Sequence, residues 1–243
     1  GTVQLVPERI ELEGSSPVFD LASITKALVP ATLCMIAVDR GLCRLDTPLA
    51  ALLPDWKDVP TGPQATLLHL LNHSSGLPAW HKYYEDERFA PFPPEPDQME
   101  ALRARVLQDI FTRERHPAGE RHAYSDLGYM LLMPLLEGLF GAPLDELAEQ
   151  LIFAPLGMTQ TSYIPLQARK ALPWHEDAVV ATEVTPERGA VRGVVHDENT
   201  HLIGGVSGHA GVFGTAEELA RFGEHLLAID SSKLPANEGV VSR

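Results

Sequence analysis

The apolar positions of the chain follow two patterns. Met99, Leu102, Val106 and Ile110 recur at spacings of three and four, which lays them along one side of a helix and predicts an amphipathic helix over residues 97–115. Ala27 to Val38 (ALVPATLCMIAV) is instead apolar at every position but Thr32, so the helix predicted from Ser23 to Arg40, closed by Gly41, is buried on all sides. Short helices are predicted after Asp46 (TPLAALL), after Thr66 (LLHLL) and over 144–152. A second apolar helix is predicted within YSDLGYMLLMPLLEGLFG. Thr215-Ala216-Glu217-Glu218 reads as a capping box opening a helix to about Ile229.

Strand character lies towards the two ends: Val3–Leu12, broken at Pro7, and the runs VVATEV and AVRGVV between Ala178 and His196. The Pro-, aromatic- and acid-rich stretch 79–96 reads as a long irregular loop. The expected fold class is α+β: an α/β sandwich with an antiparallel sheet flanked by helices. Residues 1–45 and 178–243 would build the sheet domain, and 46–177 a mostly helical insertion.

The composition narrows the partners. At 243 residues, with 44% hydrophobic and 21% charged residues, the chain is long enough to bury a full core. Its 19 basic and 33 acidic residues give a net charge of −14, which argues against nucleic acid or an anionic membrane as a main partner. No run approaches the ~18 apolar residues of a membrane span. The opening GTVQLVPERIELEG lacks the layout of a signal peptide, which leaves the compartment open: cytoplasmic, or exported with a leader removed. The two cysteines, Cys34 and Cys43, lie in or beside apolar sequence and read as buried free thiols. The oligomeric state is not legible.

The candidate chemistry sits at the head of the buried helix, in LASITKALV. Ser23 and Lys26 are one turn apart and share a face. Lysine is seldom buried without a partner, so this one must reach a cleft, a carboxylate or solvent. In a cleft, desolvation and the positive helix end would favour a neutral amine able to take the serine proton. The competing reading is an N-cap serine followed by a lysine extending to water. A chain of this length holds about one S-x-x-K by chance at ordinary residue usage.

The flanking residues break that tie. Phe19-Asp20-Leu21-Ala22-Ser23-Ile24-Thr25-Lys26 resembles the first active-site motif of the serine hydrolases grouped with class C β-lactamases and penicillin-binding proteins. Further blocks resemble the family in order: GLCRLDTPLAALLPDW, LLHLLNHSSGLPAW, PAGERHAYSDLGYMLL, FAPLGMTQT and GGVSGHAGVFGTAEELARF. The resemblance implies a β-lactamase/transpeptidase-like fold and an acyl-enzyme formed at Ser23. Tyr124-Ser125-Asp126 stands where the family has Tyr-x-Asn, with Tyr84-Glu85-Asp86 as a competitor lacking matching flanks. Lys26 and Tyr124 would then serve as general base and acid, in an order left open.

Asp126 departs from the usual asparagine and weakens the case for a β-lactam substrate. Asp126 and His209 are the candidate substrate contacts. The nearest approach to the family's third motif, Lys-Thr-Gly or His-Thr-Gly, is His209-Ala210-Gly211, which reads as a glycine-rich loop leading into the helix at Thr215. The family continues past the position of Arg243 into further strands, so the C-terminal strands of the sheet are expected to be missing.

The resemblance calls for a small-molecule ester, amide, peptide or β-lactam substrate and for no cofactor or metal. Two alternatives stand beside it. One is a catalytically silent penicillin-binding-like or sensor module that keeps the fold. The other is a metal hydrolase built on His196, Asp197 and His201, although the stretch HDENTH suits a structural polar loop better.

Overall fold

The structure is a computed structural model and describes residues 2–4, 10–11, 16–58, 65–167, 173–174, 178–186 and 188–230. In chain order its strands are β1 (Thr2–Gln4), β2 (Ile10–Glu11), β3 (Val18–Asp20), β4 (Ser162–Tyr163), β5 (Val184–Thr185), β6 (Gly189–Ala190) and β7 (Val212–Thr215). The α-helices are α1 (Ile24–Lys26), α2 (Thr32–Asp39), α3 (Leu49–Leu52), α4 (Leu67–Leu71), α5 (Met99–Thr112), α6 (Asp126–Phe140), α7 (Leu144–Ala148), α8 (Glu198–Leu202) and α9 (Ala216–Asp230).

The central sheet has the order β3-β7-β4, antiparallel throughout, with Phe19 opposite Gly214 and Ser162 opposite Phe213. Val179 adds a single parallel bridge to Val18 on the far side of β3. Alternation across the sheet divides the interior. Val212 joins the large core beneath the helices, whereas Phe213 joins a small cluster with Val18, Ile164, Val179 and Val195 on the other face. The fold is the mixed helix-and-sheet arrangement expected from the sequence. The insertion assigned to 46–177 contributes one sheet strand, β4, beside its helices.

The middle strand was not expected. Val212–Thr215 lies where a loop was read before the helix of α9, and all four residues are buried. A strand buried on both faces shows no alternation, and Gly214 further masks it. That glycine is needed: a Cβ there would lie 2.8 Å from Thr161 Oγ1. Conversely, VVATEV and AVRGVV yield only the Val179 bridge and the two-residue pair β5-β6.

The helical readings hold with adjustments. On α5, Met99, Leu102, Val106 and Ile110 are all buried. The run from Ser23 is helical to Asp39, but Ala27–Ala31 forms a π-turn around Pro30, whose missing N–H interrupts the regular ladder. α6 starts on Ser125, whose hydroxyl accepts from Gly128 N, and stops at left-handed Gly141. Thr215 Oγ1 accepts from Glu218 N, whereas the Glu218 carboxylate reaches Gln160 N and Thr161 Oγ1. α9 is thereby fastened to the segment leading into β4.

The 79–96 stretch is tied down rather than irregular throughout. The buried Tyr83 hydroxyl donates to Asp109 Oδ2 at 3.0 Å, and Arg88 and Arg113 bind the same carboxylate from either side. Both cysteines are free and buried. Among the described residues no single helix is long and apolar enough to cross a membrane.

Candidate active site

β3 delivers the chain into a sharp turn. Ala22 sits at φ +44°, a left-handed conformation that costs an L-residue about 1–2 kcal/mol. Asp20 holds it there: Oδ1 accepts from Ala22 N at 2.8 Å, and Oδ2 accepts from His196 N at 2.7 Å. Burial raises the pKa of this carboxyl, against the lowering effect of the two backbone donors.

Ser23 follows with helical φ and ψ and makes no capping hydrogen bond with its side chain. Its hydroxyl is instead 2.8 Å from Lys26 Nζ. Lys26 is 4% exposed, so it does not extend to water. Its Nζ also donates to the His209 carbonyl at 3.1 Å and lies 2.7 Å from Asp126 Oδ1, an ion pair by distance rather than an aligned hydrogen bond. Both features of the N-cap-and-snorkel alternative are therefore missing at this turn.

Tyr124 completes the group. Lys26 Nζ stands 4.8 Å from the centre of the Tyr124 ring, and Tyr124 is about half exposed. Its inner face packs on His73, centroids 4.5 Å apart. His73, itself left-handed at φ +59°, accepts from Ser125 N through Nδ1 and so pins the start of α6. Asp126, the first residue of α6, is tied through its N–H to Ala79 O at 2.7 Å, and its carboxylate meets Lys26 of α1.

Of the residues singled out from sequence, Ser23, Lys26, Tyr124 and Asp126 converge. His209 reaches the site through its backbone. Its ring is 1% exposed and held between Ser207 Oγ (2.8 Å from Nδ1) and Asp197 Oδ1 (2.9 Å from Nε2). The competitor Tyr84-Glu85-Asp86 lies elsewhere: Tyr84 stacks on Phe92, and Asp86 binds Arg88 and His81. The residues of the metal alternative diverge. His196 faces Glu183, Asp197 binds His209, and His201 faces Arg188 and Phe92; no metal-binding group occurs among the described residues. Asp20 and His73 were missed, although both lie in blocks that carry the family resemblance, and that placement was the available signal.

The chain matches the family described as Beta-lactamase over residues 16–240 and belongs to it. It is 32% identical over 218 residues to an N-acetylmuramyl-L-alanine amidase of Bacillus subtilis (strain 168), covering 83% of this chain and 48% of that protein. It is 30% identical over 220 residues to a protein of Escherichia coli (strain K12) named "Putative D-alanyl-D-alanine carboxypeptidase", covering 83% and 49%. The chain thus spans about half the length of the curated relatives it matches.

Among solved structures, the octameric penicillin-binding protein homologue from Pyrococcus abyssi superposes with a TM-score of 0.69 at 22% identity, over 100% of this chain and 50% of that one. The D-alanine carboxypeptidase AmpC from Burkholderia cenocepacia gives 0.63 at 21%, over 93% and 53%. These likenesses show the fold.

Proposed function

We propose that Ser23 is the nucleophile of a serine hydrolase acting on an ester or amide. Ser23 Oγ attacks the substrate carbonyl, and its proton passes through Lys26 and Tyr124 to the departing alcohol or amine. Water then cleaves the acyl-Ser23 ester, which releases the acid and restores the hydroxyl. The observation that carries this reading is the 2.8 Å contact between Ser23 Oγ and a lysine amine buried from solvent. The names of the amidase and carboxypeptidase relatives support a peptide or other amide substrate, and Asp126 in the asparagine position disfavours a β-lactam.

The test is covalent labelling. The chain is incubated with a fluorophosphonate and, separately, a fluorescent penicillin, and its intact mass is measured. A fluorophosphonate adduct that vanishes in Ser23→Ala is expected; no Ser23-dependent adduct with either reagent sinks the reading. The Lys26–Asp126 ion pair favours a second reading, a silent penicillin-binding-like module in which the amine is held rather than cycled. That module would acylate slowly and keep its adduct, whereas the hydrolase releases an ester-derived acyl group.

A further inference from the structure

The stretch HDEN, not used in the reaction proposed above, is wired to it at several points. His196 N binds the Asp20 carboxylate that holds Ala22 next to Ser23. Asp197 caps α8 by accepting from Thr200 N at 2.7 Å and takes the Nε2 side of the buried His209 ring. Asn199 binds the main chain of the 79–96 loop, accepting from Tyr83 N and donating to His81 O.

The segment carrying His209 needs such support. Gly208 lies so close to α6 that a Cβ would sit 2.1 Å from Tyr129 O, and Gly211 has φ +116°. Glycines on both sides give the backbone little conformational preference of its own, so the direction of the His209 carbonyl must be imposed from outside. The ring on the same residue is bound at Nδ1 by Ser207 and at Nε2 by Asp197, with Thr200 Oγ1 also 3.3 Å from Nε2. Burial raises the Asp197 pKa, but the charge and hydrogen bond of His209 and the Thr200 N–H outweigh it and hold the carboxyl well below the usual carboxylate range. The Asp197 carboxylate is itself about a third exposed, so its bond to the covered ring adds little net stability, which makes orientation the better account of its presence.

We propose that the Asp197–His209 pair is a positioning device for Lys26: by locking the imidazole it aims the His209 carbonyl at Nζ and keeps the amine on Ser23 Oγ. The side-chain partners of Asp197 and the His209 ring are Thr200, Ser207 and each other, not Ser23 or Lys26, so both act as positioning residues. The inference rests on the serine-hydrolase reading above.

The test is the kinetics of Ser23 labelling by the fluorophosphonate, read as the rate at saturating reagent and the half-saturating concentration. Asp197→Ala should lower the saturating rate about 10- to 100-fold, the scale of a misplaced catalytic group, with the half-saturating concentration unchanged within about twofold. Asp197→Asn, whose amide oxygen still accepts from Nε2–H, should recover most of the rate. Should Asp197→Ala lose cooperative melting, Ser207→Ala takes its place, with a rate loss of about threefold or more from removing the Nδ1 partner alone.

Saturating rates equal to wild type in the folded variants would overturn the proposal. So would a loss confined to the half-saturating concentration, or an Asp197→Asn protein no faster than a folded Asp197→Ala. Absence of Ser23 labelling in the wild-type chain is a different result: it removes the serine-hydrolase reading and this inference with it.

Discussion

Asp126 Oδ1 lies 2.7 Å from Lys26 Nζ, so the amine that contacts Ser23 carries a carboxylate on its other side. Where an asparagine would offer an amide N–H to a bound acyl group, this site offers a negative charge already engaged by the lysine. Asp126→Asn should therefore raise labelling by penicillin relative to the fluorophosphonate, by about two- to tenfold if one hydrogen bond is gained. Parallel labelling rates for the two reagents check this, and an unchanged ratio would refute it.

Tyr124 separates chemistry from stability. Its ring is half exposed and its packing on His73 uses the ring face, not the hydroxyl. Tyr124→Phe should leave unfolding free energy within about 0.5 kcal/mol of wild type. Ser23 labelling should meanwhile fall by about 10²–10⁴, the range for loss of a proton-transfer group. Urea unfolding together with labelling rates measures both, and an undiminished rate would remove Tyr124 from the proton path.

Gly208 is a packing constraint legible from distance alone. Its Cβ position lies 2.1 Å from Tyr129 O and 3.1 Å from Tyr129 C, and the backbone of α6 cannot give way as a flexible side-chain end could. Gly208→Ala should cost about 1–3 kcal/mol in denaturant unfolding. A neutral effect would mean that the 204–211 loop is not seated against α6.

Acid should weaken the fold before its carboxylates titrate. The pKa of His201 is lowered from 6.5 to about 4, first by burial and then by Arg188. That of His73 is lowered by burial and by the charge of Lys26, and its Nδ1 must stay unprotonated to accept from Ser125 N. The unfolded chain takes up these protons near its ordinary histidine value while the native chain does not, so stability falls as pH drops from about 6.5 towards 4. Asp20 acts in the opposite sense, because a raised carboxyl value lets the native state bind its proton first. Melting temperatures across that interval should decline, and His201→Gln should reduce the slope. A flat profile in wild type would contradict the assignment.

The sequence exposed what is local. The spacing of Met99, Leu102, Val106 and Ile110 yields α5, and Thr215 marks the start of α9, because periodicity and capping act within a few residues. The Ser23–Lys26 pair was visible for the same reason: one helical turn fixes both. Residues that act across the fold left no such trace. Asp20 meets His196 at a separation of 176 residues, and Lys26 meets the His209 carbonyl at 183. Both contacts go to backbone atoms, which any residue type would supply. β7 escaped because burial on both faces erases alternation, and the π-turn at Pro30 because its extra residue leaves the apolar pattern of an all-buried helix unchanged.

Ser23 is exposed whereas Lys26 is almost wholly covered. A reagent that seeks hydroxyls can therefore arrive directly, but one that seeks amines finds its target covered. Once an acyl group occupies that serine, the amine becomes harder still to reach from outside. Amine-modifying footprinting should accordingly find Lys26 far more protected than Lys82, with occupancy of the neighbouring hydroxyl deepening the shadow.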